Sequence, residues 1–192
     1  PRRRRKEGLY FVPEERLGRG AVPVMSLAQN TLLTRTEGVS ASGWIDTAKV
    51  ELLAANLISR FNVKCGGSGA AAKSLSGGNL QKFIVGREID ANPKLLIVCQ
   101  PTWGVDVGAA ALIRGELLKL RDAGCALLIV SEELDEQFES ADRLIVIAQG
   151  RMSPSIPTAE ATIERIGEWM SGLWPMAGAA SVASQGERHA QA

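Results

Sequence analysis

The sequence is short of several things, and each shortage narrows what the chain can be. No window of its 192 residues approaches eighteen consecutive apolar residues, so it offers no helical membrane span of its own; docking on a membrane protein stays open. Its three cysteines, Cys65, Cys99 and Cys125, stand far apart, without the spacing of a metal site or a disulfide framework. Reduced thiols are the expectation, two of them buried in apolar, strand-like runs. Charge of either sign is not in excess: Lys+Arg 22 against Asp+Glu 21 removes any global pull toward nucleic acid. The one basic run, "RRRRK" from Arg2 to Lys6, is not extended by basic or aromatic residues elsewhere. It reads as a solvated lead-in, not as a nucleic-acid arm. The chain opens on Pro1 with no apolar h-region, and is read as a piece of a longer protein without a secretion signal.

What is present is the composition of an ordinary globule, 45% hydrophobic and 22% charged, long enough for one well-cored domain with a small subdomain. "GLYFVP" is a short strand-like run, followed by the loop "EERLGRGAVPV" and a helix-like "SLAQNTLLT". Over 46–61 the apolar residues Val50, Leu53, Leu57 and Phe61 recur at spacings of three and four, one face of a helix with Asp46 as N-cap. Residues 64–75, rich in small side chains, read as a loop. A second helix runs from Ser76 to about Asp90, stopped by Asn92-Pro93.

Beyond it the pattern alternates. "KLLIVC" is a continuous apolar strand, 107–123 a helix ending at Gly124, and "CALLIVS" another strand. A short acidic helix follows, then a third strand "RLIVIA", the turn "QGR" and a last helix between Pro157 and Gly172. Continuous apolar strands alternating with helices predict a parallel sheet covered on both faces. Three core strands are few for such a sheet, and further strands are expected upstream of Pro1. The tail from Pro175 reads as flexible.

The sharpest local signal is "SLSGGNLQKFIVGREI", residues 74–89. Ser76 is placed to cap a helix whose first amides, at Gly77 and Gly78, sit at its positive end, and glycines let an anion approach closely. An ordinary capped helix has the same look. A true phosphate-cradling loop, GxxxxGK[ST], is absent. "GGSGAAAKS" imitates one, but Ala72 replaces the glycine before Lys73 and no apolar strand precedes it.

"LSGGNLQK", followed by an apolar strand, "PT" and then Asp106, resembles the signature region of ABC transporter ATPases. "FVPEERLGRGAVPVMSLAQN" resembles the segment after the Q-loop in the second nucleotide-binding domain of bacterial ribose/nucleoside-type importers. "VDVGA" is similar to the D-loop, "LLIVSEELDE" to the switch region, "IAQGRM" to the small hairpin beyond it and "PTAEATIERIGEWMSG" to the C-terminal helix. The wording "EERLGRG" and "QPT" leans toward the nucleoside importers. The resemblance covers roughly residues 7–172.

It implies an α/β fold, part of a P-loop NTPase (ABC ATPase) core with a helical subdomain. The expected divisions are 1–35, end of the core's first lobe and linker; 36–90, helical subdomain; 91–156, parallel-sheet core; 157–174, C-terminal helix; 175–192, flexible tail. It implies that Ser76, Gly77, Gly78, Asn79, Gln81 and Asp106 serve ATP held by an opposing domain, with Leu75 and Lys82 continuing the motif. It also implies departures at the hydrolytic positions. Glu14 stands for the Q-loop glutamine and Cys99 for the aspartate that would hold Mg²⁺, a hard ion for which a thiol is a poor partner. Gln100 stands for the glutamate that would polarise water, a proton its amide cannot accept. Glu132 stands for the switch histidine, and Trp103 fills a commonly basic position, where an apolar plug at a domain boundary is expected.

ATP and Mg²⁺ are thereby expected in the full-length assembly, with neither tightly bound by this chain and no metal site of its own. The expected partners are an N-terminal nucleotide-binding domain or second ATPase subunit and a transmembrane permease, with no nucleic acid. The expected location is the cytoplasmic face of the bacterial inner membrane, as a peripheral protein.

Overall fold

The computed structural model describes residues 2–35, 40–41 and 44–174; the expectation for the tail 175–192 lies outside them. The chain forms two compact units, one up to Glu132 and one from Glu133 onward.

The first unit opens with a short helix α1 (Arg2–Lys6) and strand β1 (Leu9–Val12), then α2 (Leu27–Leu32), a small ladder of β2 (Ser40–Ala41) with β3 (Trp44–Ile45), and α3 (Thr47–Arg60). It continues with α4 (Gly77–Ile89), β4 (Leu95–Cys99), α5 (Val107–Asp122) and β5 (Ala126–Val130). Strands β1, β4 and β5 form one parallel sheet in that order, with Phe11 beside Ile97 and Ile97 beside Leu128.

Helix α4 is the centre of this unit. Every residue from Leu80 to Ile89 on it is buried, so its sequence cannot show a single apolar stripe. Its Phe83 and Ile84 pack in one core with Leu57, Phe61, Leu96, Val98 and Ile113, all with no more than 1% exposure. Gly86 admits the Phe61 ring: a Cβ built there would lie 2.4 Å from Phe61 Cδ2. Charged residues inside this helix have partners: Lys82 donates to the Asn62 carbonyl, and Arg87 and Glu88 pair with each other. Arg87, 3% exposed, donates from Nε to Glu88 Oε1 at 2.7 Å and from its other nitrogens to the carbonyls of Asn30 and Gly20.

Local starts follow the expected chemistry. Asp46 accepts from the Lys49 amide at 3.1 Å and caps α3, as its place before the periodic run predicts. Ser26 and Gln29 form a reciprocal capping box on α2. An ion network ties the ends of three helices to α5: Asp90 receives Arg35 and Arg60, and Glu116 receives Arg60 and Lys119.

Three expectations are corrected. The third core strand is β1, not "RLIVIA". The "RLIVIA" run breaks into β6 (Arg143–Leu144) and β7 (Ile147–Ala148), separated by Ile145 and Val146. Among the described residues the sheet is covered on one face only. Tyr10, Val12, Leu96, Val98, Leu127 and Ile129 pack into the core, whereas Phe11, Leu128 and Val130 on the opposite face are 45%, 52% and 47% exposed. Finally, "RRRRK" is not simply solvated. Arg5 reaches Glu88 Oε2 at 3.1 Å and lies 5.1 Å from the Tyr10 ring centroid, giving a hydrogen bond to the carboxylate oxygen that Arg87 does not reach.

The second unit contains α6 (Leu134–Ser140), β6, β7, β8 (Arg151–Met152), β9 (Ile156–Pro157) and α7 (Ile163–Met170). β6 pairs with β9 and β7 with β8, both antiparallel. The "QGR" turn holds Gln149 and Gly150 at positive φ, as a tight hairpin demands. Leu144, Val146, Ile156, Ile166 and Trp169 make its core. Among the described residues no helix is long and apolar enough to cross a membrane.

Candidate functional site

Three loops of the first unit meet at the start of α4. One follows β1 and carries Glu14 and Arg16, one leads into α4 through Leu75 and Ser76, and one follows β4 from Gln100 to Asp106. Parallel strands place all their outgoing loops at one end of the sheet, which is why residues distant in sequence converge here.

Ser76 is the N-cap of α4 and is exposed, but its side chain makes no cap hydrogen bond to the backbone. Its Oγ instead accepts from Asn79 Nδ2 at 2.9 Å, which leaves the hydroxyl hydrogen to donate elsewhere. The expectation of a serine side-chain cap is corrected accordingly. The amides of Gly77, Gly78 and Asn79 belong to the first helical turn, where no intrahelical acceptor exists; the first such bond runs from Leu80 N to Ser76 O. Asn79 spends its carbonyl oxygen on the Lys64 amide at 2.9 Å, fixing the turn from below.

Asp106 begins α5 beside this point. A Cβ at Gly78 would lie 3.8 Å from Val105 Cα, so the two helix starts are neighbours. The Asp106 side chain caps α5 by accepting from Ala109 N at 2.8 Å. That bond is the main reason its carboxyl sits below the usual carboxylate range, and nearby Lys82 adds attraction. Gln81 is turned inward. It is 1% exposed, its oxygen accepts from Arg16 Nε, and its nitrogen donates to the Pro101 and Gln100 carbonyls. It holds the loop after β4 and does not face outward with the others.

The four departing positions are also placed. Cys99 ends β4, half-buried; burial raises its thiol pKa and the neighbouring Glu14 carboxylate raises it further. At neutral pH this is a protonated thiol beside an anion, which does not fit an outer-shell holder of Mg²⁺. Gln100 takes a left-handed backbone, φ 48°, with its side-chain oxygen buried and unpartnered. Glu14 and Glu132 are exposed. Among the described residues no group of three or more His, Cys, Asp or Glu could hold a metal ion. The first-turn amides of α4, with no side chain on Gly77 or Gly78, have the chemistry that suits an anion.

The stretch "GGSGAAAKS" does not resemble a phosphate cradle in space. Its Ser68 and Ala70 carbonyls accept from the Ala28 and Leu27 amides, so it pins the start of α2. Sequence reasoning missed Arg16, which touches α4 and the loop after β4. The Trp103 ring is 58% exposed with the Arg16 guanidinium 5.8 Å from its centroid. No feature of "EERLGRG" alone distinguishes Arg16 from its charged neighbours.

No protein-family model matches the chain. Curated relatives do. It is 40% identical over 174 residues to the nucleoside import ATP-binding protein NupA of Lactococcus lactis subsp. cremoris, covering 90% of this chain and 34% of the relative. It is 38% identical over 174 residues, with the same coverage, to the guanosine import ATP-binding protein NupO of Bacillus subtilis. It is 37% identical over 179 residues to the ribose import ATP-binding protein RbsA of a Ruegeria species, covering 93% and 35%. The chain thus spans about a third of the length of the curated relatives it matches. Among solved structures it is similar to a dimeric ATP-binding cassette in a post-hydrolysis state bound to ADP and Pi. The TM-score is 0.63 at 17% identity, over 78% of this chain and 62% of the other. A second dimeric bacterial ABC transporter cassette gives 0.62 at 18%, over 77% and 62%. By sequence the chain is related to the ATP-binding subunits of ABC importers of nucleosides and sugars, and its fold is that of the ABC-ATPase core with a helical subdomain.

Proposed function

We propose that the chain is part of the ATP-binding subunit of an ABC importer for simple sugars or nucleosides, from its second, degenerate nucleotide-binding domain. Its role is to complete an ATP site formed mainly by a partner domain. The observation that carries this is the start of α4: an exposed Ser76 hydroxyl and the Gly77 and Gly78 amides beside Val105 and the capped Asp106. Amides at a helix start stabilise negative charge on a phosphate oxygen, and glycines keep the approach open. Its own hydrolytic positions are occupied by groups that cannot hold Mg²⁺ or take a proton from water, namely Cys99 and Gln100. Closure would pass to a permease through the groove between residues 14–35 and the helical part, at the cytoplasmic face of the membrane.

The test uses the full-length subunit with its permease. Ser76→Arg fills the helix start with a bulky cation-bearing chain and is expected to stop ATP turnover and transport. Gln100→Asn, which suits the left-handed backbone, is expected to leave turnover within about twofold. Loss of turnover in Gln100→Asn would show that this half carries its own hydrolysis.

One observation favours a second reading, a catalytically inert structural module. The exposed apolar face of the sheet, with Phe11, Leu128 and Val130, is a packing surface with no nucleotide chemistry. ATP turnover by the full-length subunit carrying Ser76→Arg separates the two roles: a module without nucleotide chemistry leaves it parent-like, whereas a chain that completes the site loses it.

A further inference from the structure

The loop after β1 contributes one side chain that reaches both α4 and the loop after β4. Arg16 donates from Nε to Gln81 Oε1 at 3.0 Å and from Nη2 to the Trp103 carbonyl oxygen. Its guanidinium carbon lies 5.8 Å from the centre of the Trp103 ring. Gln81 passes the link onward, donating to the Pro101 carbonyl at 3.0 Å and the Gln100 carbonyl at 3.3 Å. The start of α4 is shaped to admit this guanidinium. A Cβ at Gly77 would lie 2.7 Å from Arg16 Nη1, so any side chain there would displace it.

The loop held in this way starts on a left-handed non-glycine residue, Gln100 at φ 48°. A left-handed non-glycine residue persists where surrounding contacts over-determine it. The planar fork of an arginine can serve two acceptors in different directions while stacking on a ring; the single ammonium of a lysine cannot do all three.

We propose that Arg16 is a positioning residue, which fixes the start of α4 and the loop after β4 in the one arrangement that sets the Gly77 and Gly78 amides beside Val105 and Asp106. It makes the geometry of the phosphate-facing amides depend on the loop that follows β1. This rests on the reading of Ser76, Gly77 and Gly78 as the group that completes a partner domain's ATP site.

The experiment measures ATP turnover against ATP concentration in the full-length subunit with its permease, for Arg16→Ala, Arg16→Lys and Ser76→Arg. Small displacements of a positioned group cost on the order of ten- to a hundredfold in rate, so Arg16→Ala is expected to lower kcat by that range. KM for ATP is expected to change by less than about twofold, since other groups hold the bound nucleotide. Arg16→Lys keeps the charge but not the fork, and is expected to recover little of the loss. Hydrogen exchange on the same proteins supplies the readout that general destabilisation would not give: the bonded amides of Leu80, Trp103 and Val105 exchange faster while those of 113–120 do not. If Arg16→Ala fails to fold, Arg16→Lys carries both measurements. Parent-like kcat in the Arg16 variants, with turnover abolished by Ser76→Arg, overturns the role of Arg16 alone. Uniformly faster exchange across the first unit overturns it as well. Parent-like turnover in Ser76→Arg overturns the signature reading on which it stands.

Discussion

Arg5, from the basic run that opens the chain, donates to Glu88 Oε2 at 3.1 Å, and that carboxylate is 0% exposed. Glu88 also receives Arg87 at 2.7 Å, so one buried carboxylate accepts from two arginines. Burial pulls the Arg87 pKa below the ordinary arginine value, and the Glu88 charge opposes that pull. Removing the anion leaves a buried guanidinium uncompensated, a change that costs about 3–5 kcal/mol. Glu88→Gln is therefore expected to destabilise the chain by about 3 kcal/mol or more. Arg5→Ala, which removes a partner one-third exposed, is expected to cost about 1 kcal/mol. Urea denaturation followed by circular dichroism reads both, and equal costs would show that Arg5, not Arg87, is the principal partner.

Gly86 poses a contest between propensity and packing. In the interior of α4, Ala is preferred to Gly by about 1 kcal/mol. The added Cβ, however, would lie 2.4, 2.5 and 2.8 Å from three atoms of the Phe61 ring, itself 0% exposed and unable to move into solvent. Overpacking of this kind costs about 1–3 kcal/mol, so the clash is expected to win and Gly86→Ala to lower stability. The companion change Phe61→Leu frees the space. Adding Gly86→Ala to it is expected to cost less than adding Gly86→Ala to the parent, and equal costs in the two backgrounds would exclude the ring as the cause.

Local order was legible in the sequence; long-range pairing was not. The spacing of Val50, Leu53, Leu57 and Phe61 with Asp46 ahead of it located α3 to within a residue, because period and cap are both properties of neighbouring residues. The same holds for α4, β4 and α5, which the apolar runs and the breakers Pro93 and Gly124 delimit. The resemblance carried by "LSGGNLQK" supplied the fold. What stayed hidden depends on residues far apart. β1 is a four-residue strand whose partner lies more than eighty residues on, and nothing local names that partner. An apolar run such as "RLIVIA" cannot declare that Ile145 and Ile147 end up 48% and 70% exposed. Arg87 and Glu88 inside an otherwise buried helix were a visible signal of pairing, but Arg16 gave none: its partners stand 65 and 87 positions away.

The exposed face of the sheet has a consequence for the chain in isolation. Register puts Phe11, Ile97 and Leu128 in one row, with Cys99 and Val130 in another, on the face away from α4. Parallel sheets are ordinarily covered on both faces, and an uncovered apolar row is an association surface. The chain alone is expected to form concentration-dependent oligomers in light scattering. Phe11→Thr with Leu128→Thr places strand-compatible β-branched residues there while removing apolar area, and is expected to shift the distribution toward monomer. A parent that stays monomeric at all concentrations would show that this face is hidden in solution.

Acid should act through the helix caps. Asp106 accepts from Ala109 N, and its carboxyl is held below the ordinary value chiefly by that bond. A carboxylate with a depressed folded pKa contributes stability that is complete above its unfolded pKa, about 3.9, and is lost as pH falls through the lower folded value. Asp106→Asn preserves a capping oxygen but cannot titrate. At neutral pH the variant is expected to melt close to the parent. Below about pH 4 the parent is expected to lose stability faster than the variant as its cap protonates. Asp46 and Glu116 are depressed in the same direction, by the Lys49 amide and by Lys119 respectively, and remain in both proteins. Subtracting the two melting curves across pH thus isolates Asp106, and parallel curves down to acid pH would mean that its carboxylate charge adds nothing to the cap.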